Sequence, residues 1–299
     1  MGFVITKDYA RIIQTSELNA ITGNDTSVRV LVEGSVKAQI YSYLKQKYDL
    51  GSTFADMDAF SMSVIYKAGA RVYLDATAYS AASLYALKAL TLQAGNVYVC
   101  TTAITVVEPF NISKWTLLGA QYDLFYASLP TGYTTFDQDK NYLKADKVFW
   151  KDYKYTAQRN SVLVDHEQVL QAIDYANVSR GNVFPVDPYN PQAALNMWGV
   201  GVSYAVPVET LPTNTTYWTA GDARDQQFVQ IFMDMVVYEL CKRIAPNNVP
   251  EVRHNAWVSA IKRLKDFANG DLSAELPILQ PKKDTPVSHG GTVKQQNNW

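Results

Sequence analysis

The densest apolar periodicity lies between residues 226 and 276. Val229, Phe232, Met233, Val236, Val237, Leu240, Cys241 and Ile244 trace one face of a helix. Phe228, Ile231, Met235 and Tyr238 fill a second face, so the helix is apolar over most of its circumference and needs other elements around it. A second helix is announced by Asn248-Val249-Pro250-Glu251, read as an Asn cap, an early Pro and a Glu in the first turn. Its inward stripe is Trp257, Ala260, Ile261, Leu264, Phe267 and Ala268, and Asn269-Gly270 closes it. Pro246-Asn247-Asn248 alone separates the two, which predicts an antiparallel hairpin.

The first fifty residues have the same character. Thr6 is expected to cap a short helix and Ser16 another, with a turn at Gly23-Asn24-Asp25. A longer helix from about Ser27 to Tyr48 turns Val28, Val32, Val36, Ile40, Tyr43 and Leu44 inward and sets Glu33 and Lys37 as an outer pair.

From about Ser61 to Ala220 the pattern alternates and is rich in Tyr, Val and Thr, which predicts β-structure. The stretch repeats itself: residues 70–81 align without gaps on 146–157, placing Val72 with Val148 and Tyr79 with Tyr155. Gly95-Asn96-Val97-Tyr98 echoes Gly181-Asn182-Val183-Phe184. A Pro-x-Asn phrase leads to a tryptophan three times, at Asn111 and Trp115, Asn190 and Trp198, Asn214 and Trp218. Each tryptophan either plugs the core of a small β-module or stands open to stack on a sugar ring or a partner. Asp165 to Ala176 reads as a short helical insertion, and residues 277–299 as a polar extended arm without a core of its own.

The 299 residues are 47% hydrophobic and 18% charged, a folded composition, and the net charge of −1 favours no class of charged partner. Cys100 and Cys241 read as buried free thiols. No apolar run is long enough to span a membrane, and the first residues do not form a secretory signal. A myristoylation-like start, Met1-Gly2, and four glycosylation sequons are read as chance.

Candidate chemistry is sparse. His166, His254 and His289 form no metal-ligand spacing, and no phosphate loop or nucleophile elbow occurs. Asp137-x-Asp139-x-Asn141 imitates the start of a calcium loop, but Tyr142 stands at the required glycine and Val148 at the bidentate glutamate. The expectation is no catalytic residue, no metal and no cofactor, hence no enzyme; a peptidoglycan-degrading activity is the least favoured class.

Thr6-Lys7-Asp8-Tyr9-Ala10-Arg11 and the segment Val36–Leu50, with its Tyr43-Leu44 and Tyr48-Asp49-Leu50 phrases, resemble the opening of the head–tail connector proteins of tailed bacteriophages. Val229–Ile244, the Pro250 turn, Ala260-Ile261-Lys262-Arg263-Leu264 and Asn269-Gly270 resemble the close of that family. The resemblance covers roughly 1–50 and 221–276. It departs in one respect: the family joins these parts by a short loop, whereas about 170 residues intervene here. The Trp-terminated repeats are similar, more weakly, to small carbohydrate-binding modules of chitinases and phage tail proteins.

The expectation is therefore an α+β fold: a discontinuous helical bundle (1–50 and 221–276) with an inserted β-rich domain (51–220) of two related modules, about 61–121 and 143–220. The expected helical core is Ile40, Leu44, Val229, Phe232, Val236, Leu240, Trp257, Ile261 and Leu264. By the resemblance the chain is a virion protein at the head–tail junction, assembled in the host cytoplasm. It would form a homo-oligomeric ring, twelve-fold in the family, between the portal protein and the next tail ring. DNA would pass through the ring without sequence-specific binding, and no membrane is involved. The arm would dock on portal or a neighbouring subunit through Lys282, Lys283 and Trp299. The alternative is a glycan-binding protein acting through exposed Trp115, Trp198 and Trp218.

Overall fold

A computed structural model of the chain describes residues 3–137, 140, 142–158, 160–162, 178–180, 198–272 and 276. The fold is mixed α+β, with helices and several small sheets. It divides into two compact units, one drawn from residues 1–7 and 55–223, the other from 8–54 and 224–299.

In the second unit, α2 (Thr15–Thr22), α3 (Thr26–Leu44), α5 (Gln226–Ile244) and α6 (Glu251–Asn269) form the frame, with one-turn helices α1 (Thr6–Tyr9, which begins in the other unit) and α4 (Leu50–Thr53). Helix α3 packs on α5 and α6, and α5 on α6. Ten residues of α5 are buried, from Phe228 to Cys241, as its all-round apolarity requires. Ile40, Leu44, Val229, Phe232, Val236, Leu240 and Leu264 are buried, whereas Trp257 and Ile261 are half-buried. Trp257 lies on the rim, stacked on Tyr238 with ring centroids 4.9 Å apart. Ile244, in the last turn of α5, is exposed.

Several caps differ from expectation. Helix α3 ends at Leu44 rather than Tyr48, and Asp25 caps it, its side chain accepting the Ser27 N–H at 2.8 Å. Asn248 does not cap α6: its N–H donates to Ala245 O in a turn, and the helix starts after Pro250 with no side-chain cap hydrogen bond. Gln14 precedes α2 where Ser16 was expected to, and Thr6 is itself helical. Gly270 closes α6 in the left-handed region, as read.

Glu33 is not an outer residue. It is buried, accepts the Tyr9 hydroxyl proton at 2.6 Å, and pairs with Arg29 at 3.5 Å. Lys37 instead donates to Phe54 O.

The first unit holds the sheets. One has the order β1 (Met57–Ala59), β2 (Arg71–Tyr73), β6 (Leu124–Ala127), β13 (Trp218–Ala220). A second runs β3 (Leu90–Gln93), β4 (Asn96–Cys100), β5 (Trp115–Ala120). A third is β12 (Val202–Ser203), β9 (Tyr153–Thr156), β8 (Lys147–Trp150), β7 (Thr134–Thr135), and β10 (Asn160–Val162) pairs with β11 (Val178–Arg180). Hairpin β3–β4 turns at Ala94-Gly95 and β8–β9 at Lys151-Asp152, each pair at positive φ, the conformation that matches strand twist. The hairpin β2–β6 has no such short turn; residues 74–123, with the whole second sheet, stand between its strands.

Candidate functional site

Three aromatic constellations in the first unit share one geometry. In each, an aromatic ring stacks on a tyrosine six residues later: Phe60 on Tyr66 at 6.0 Å, Tyr79 on Tyr85 at 5.1 Å, Phe136 on Tyr142 at 5.6 Å. Each tyrosine hydroxyl accepts the N–H of the residue after the first ring, at Ser61 (2.8 Å), Ser80 (2.7 Å) and Asp137 (2.6 Å). A tryptophan then meets both rings edge-on: Trp218, Trp115 and Trp198 respectively.

The backbone around each constellation also matches. Three residues past the tyrosine, Gly69, Lys88 and Ala145 all have positive φ and donate to Ala127 O, Cys100 O and Ala157 O. The backbone N–H of the first ring's residue reaches a strand carbonyl in each constellation: Phe60 to Tyr73, Tyr79 to Leu92, Phe136 to Phe149. Val72 lies in β2 opposite Phe125 and Val148 in β8 opposite Tyr155, and both are fully buried. Tyr79 and Tyr155 are not equivalent: Tyr79 opens a constellation, while Tyr155 lies in β9. Trp218 sits with Phe60 and Tyr66, not with the later half of the insertion.

Trp115, Trp198 and Trp218 are only 5%, 1% and 1% exposed. They are core side chains, and a reading through open indoles finds none at these positions. The Pro-x-Asn turn has a local reason: the Asn111 side chain accepts the Ser113 N–H at 3.2 Å and the Asn214 side chain the Thr216 N–H at 3.0 Å. Burial pushes the Tyr66 and Tyr142 hydroxyls up in pKa, so both stay neutral donors to the Ser61 and Asp137 carbonyls. Tyr142, at the glycine position of the calcium-like stretch, belongs to this core. Among the described residues no group of His, Cys, Asp or Glu is placed to hold a metal ion.

The helical unit has its own polar interior. Arg224 and Asp8 pair in two hydrogen bonds of 2.7 and 3.0 Å, their side chains 0% and 5% exposed. The bidentate fork joins the chain entering the unit at residue 8 to the chain re-entering it at 224. Burial and then the Glu33 carboxylate push the Tyr9 hydroxyl far above its usual range, so Tyr9 is a permanent donor. Arg11 bonds the Gln226 side chain and Arg253 the Ile12 carbonyl, so three arginines sew the N-terminal segment to α5 and α6. Burial raises the Cys100 and Cys241 thiols, leaving both protonated and unreactive at neutral pH.

Helix α3 inverts the usual surface pattern. Its charged residues, Arg29, Glu33 and Lys37, engage Tyr9 and Phe54. Its exposed positions are Thr26, Ser27, Val30, Leu31, Gly34, Ser35, Ala38 and Ser42, with Leu31 73% exposed. An outer face of small and apolar residues without charge suits close approach by another surface.

No helix of the described residues is long and apolar enough to cross a membrane. Comparison with protein families, curated proteins and solved structures finds no match to the chain.

Of the residues singled out from sequence, Lys282, Lys283 and Trp299 lie outside the described residues. Sequence reasoning missed the pairing of Asp8 with Arg224 and of Tyr9 with Glu33, partners too far apart along the chain to be matched by spacing. It also missed Tyr66, Tyr85 and Tyr142. Their signal was present: an aromatic followed six residues later by tyrosine occurs at all three sites.

Proposed function

We propose that the chain is a structural subunit of a tailed-phage virion, one copy in a homo-oligomeric ring between portal and tail. In this reading residues 8–54 and 224–276 are a discontinuous helical bundle. The inserted β-rich domain holds repeated small modules, three rather than two, one of them carried between the strands of the β2–β6 hairpin. DNA passes through the ring without base readout, and the 277–299 arm reaches portal or the next subunit.

The observation that carries the reading is the outer face of α3. A lone soluble protein gains nothing from turning three charges inward and leaving Val30, Leu31, Gly34 and Ala38 to water. A ring subunit does, because that face is then covered by the next copy. The order of the connector-like phrases at the two ends of the chain supports the same assignment.

The test is composition. In purified virions of the source phage, quantitative mass spectrometry should find this chain at a fixed ratio to portal, and localisation by electron microscopy should put it at the head–tail junction. A chain absent from virions, or present at a ratio unrelated to portal, contradicts the reading.

A further inference from the structure

The sheet β12-β9-β8-β7 has two unlike faces, and the strand register assigns each side chain to one of them. Val148 and Tyr155 are cross-strand partners and belong to the aromatic core of Phe136, Tyr142 and Trp198. The alternate positions take the other face: Lys147 and Phe149 on β8, Lys154 and Thr156 on β9, Thr135 on β7 and Val202 on β12. Each of these is paired across strands with another of the same set. Tyr204 and Tyr133 complete this outer face. Tyr204 meets Phe149 edge-on at 6.0 Å, and its hydroxyl and backbone N–H donate to Ser128 O at 3.3 Å and Asp152 O at 2.9 Å.

Two properties set this face apart from an ordinary solvated sheet surface. First, its only charges are cations. The chain holds 28 Asp and Glu against 27 Lys and Arg, yet none of those carboxylates stands at the positions named. Among the described residues no carboxylate pairs with Lys147 or Lys154, and Asp152, in the β8–β9 turn, pairs with Lys67 instead. The two ammonium groups lie 5.7 and 6.0 Å from the centroid of Tyr133, and that of Lys154 lies 5.6 Å from the centroid of Tyr204. Aromatic rings thus order the cations without cancelling their charge. Second, Val202, the cross-strand partner of Lys154, is 59% exposed, and the rings of Tyr133 and Tyr204 are half-buried. Open apolar surface and uncancelled positive charge therefore share one face.

We propose that this outer face docks an acidic segment of a partner protein. The partner sets carboxylates on Lys147 and Lys154 and an apolar side chain against Val202 and Tyr204. Charge complementarity fixes the sign of the partner. Its class follows from the small number of cations and the apolar surface beside them. A phosphate backbone is held by many lysine and arginine contacts in succession, and it would leave Val202 unused. A segment that mixes acidic and apolar positions uses both parts of the face. The site lies wholly within one compact unit, and a single copy binds whether or not the chain forms rings.

The test is fluorescence anisotropy of the full chain with a labelled 15-residue peptide of repeating Glu-Glu-Leu at low salt. Saturable binding that weakens as salt rises is expected. The variant K147Q/K154Q should bind about tenfold more weakly, with an unchanged melting curve. Val202→Ser should weaken the same complex about threefold while leaving the binding of an all-glutamate 15-mer unchanged, which separates the apolar from the ionic part of the site. K262Q/K265Q, which removes the same kind of charge from exposed positions of α6, should bind as the parent does. The proposal is overturned if the peptide does not bind, if K147Q/K154Q binds it like the parent, or if a mixed-sequence 20-nucleotide single strand competes as well as the unlabelled peptide. The last result would give the face to a phosphate polyanion.

Discussion

At the scale of single residues, the most consequential contact is one with no sequence signal. Asp8 and Arg224 are 216 positions apart, and each alone reads as an ordinary surface charge. Together they form a buried fork that closes the helical unit where the chain enters and re-enters it. Removing one partner strands the other charge in a dry site, which costs about 3–5 kcal/mol in comparable buried pairs. Arg224→Ala should therefore lower stability by that order, read from chemical denaturation, while Arg243→Ala at the exposed end of α5 should change it by less than about 0.5 kcal/mol. Equal effects from the two would mean that the fork does not hold the unit together. Glu33 carries the same lesson. Its spacing to Lys37 is right for a surface pair, but Tyr9 and Arg29 offer a buried site that hydrogen-bonds the carboxylate, and that site wins.

At the scale of elements, periodicity was a sound guide wherever burial alone decides the outcome. The apolar circumference of α5, the Gly270 stop of α6 and the buried stripe of α3 could all be read in advance, because each follows from side chains three and four residues apart. Caps were legible less often. Asn248 has the right chemistry for a cap but is held in a turn by Ala245 O, and Pro250 starts the helix. The β-rich stretch was legible only in part. The gapless alignment set Val72 against Val148, both fully buried in strands, and Tyr79 against Tyr155, which it mispaired because the chain leaves β2 after Tyr73 for another aromatic constellation. Tyr79, Tyr85 and Trp115 lie between β2 and β6 in the chain, and an alignment that assumes segments in series cannot place a constellation set inside a hairpin.

The shared geometry makes a quantitative prediction at the position three residues past each tyrosine. Gly69 adopts φ +79° with nothing within 4 Å of an added Cβ, so Gly69→Ala incurs conformational strain alone, about 1 kcal/mol. Ala145 holds φ 76° at the matching place, so Ala145→Gly should be neutral or stabilising by up to about 1 kcal/mol. Opposite signs for the two substitutions in thermal melts support a common backbone device. Destabilisation of similar size by both would mean that the positions are not equivalent.

At the scale of the whole molecule, the proposed assembly rests on the uncharged outer face of α3. In the helical interior Tyr9 pairs with Glu33 and Asp8 with Arg224, and among the described residues no group of His, Cys, Asp or Glu is placed to hold a metal ion. Aromatic cores occupy the places where the sequence offered tryptophans to a ligand. The outer stripe of α3 was readable from the start as Val30, Leu31, Gly34 and Ala38, but its meaning was not. Only the inward engagement of Arg29, Glu33 and Lys37 shows that no charge guards it.

The central claim is that copies of this chain close into a ring on portal, using the α3 face. The most direct measurement is the native mass of the full chain, alone and mixed with portal rings from the same phage, for the parent and for L31E/A38E. The account predicts a complex with portal whose added mass is a whole-number multiple of 33.4 kDa matching the portal symmetry. It also predicts that the double variant melts like the parent but adds few or no copies. A parent chain that remains monomeric in the presence of portal, or a variant that loads as completely as the parent, would contradict it.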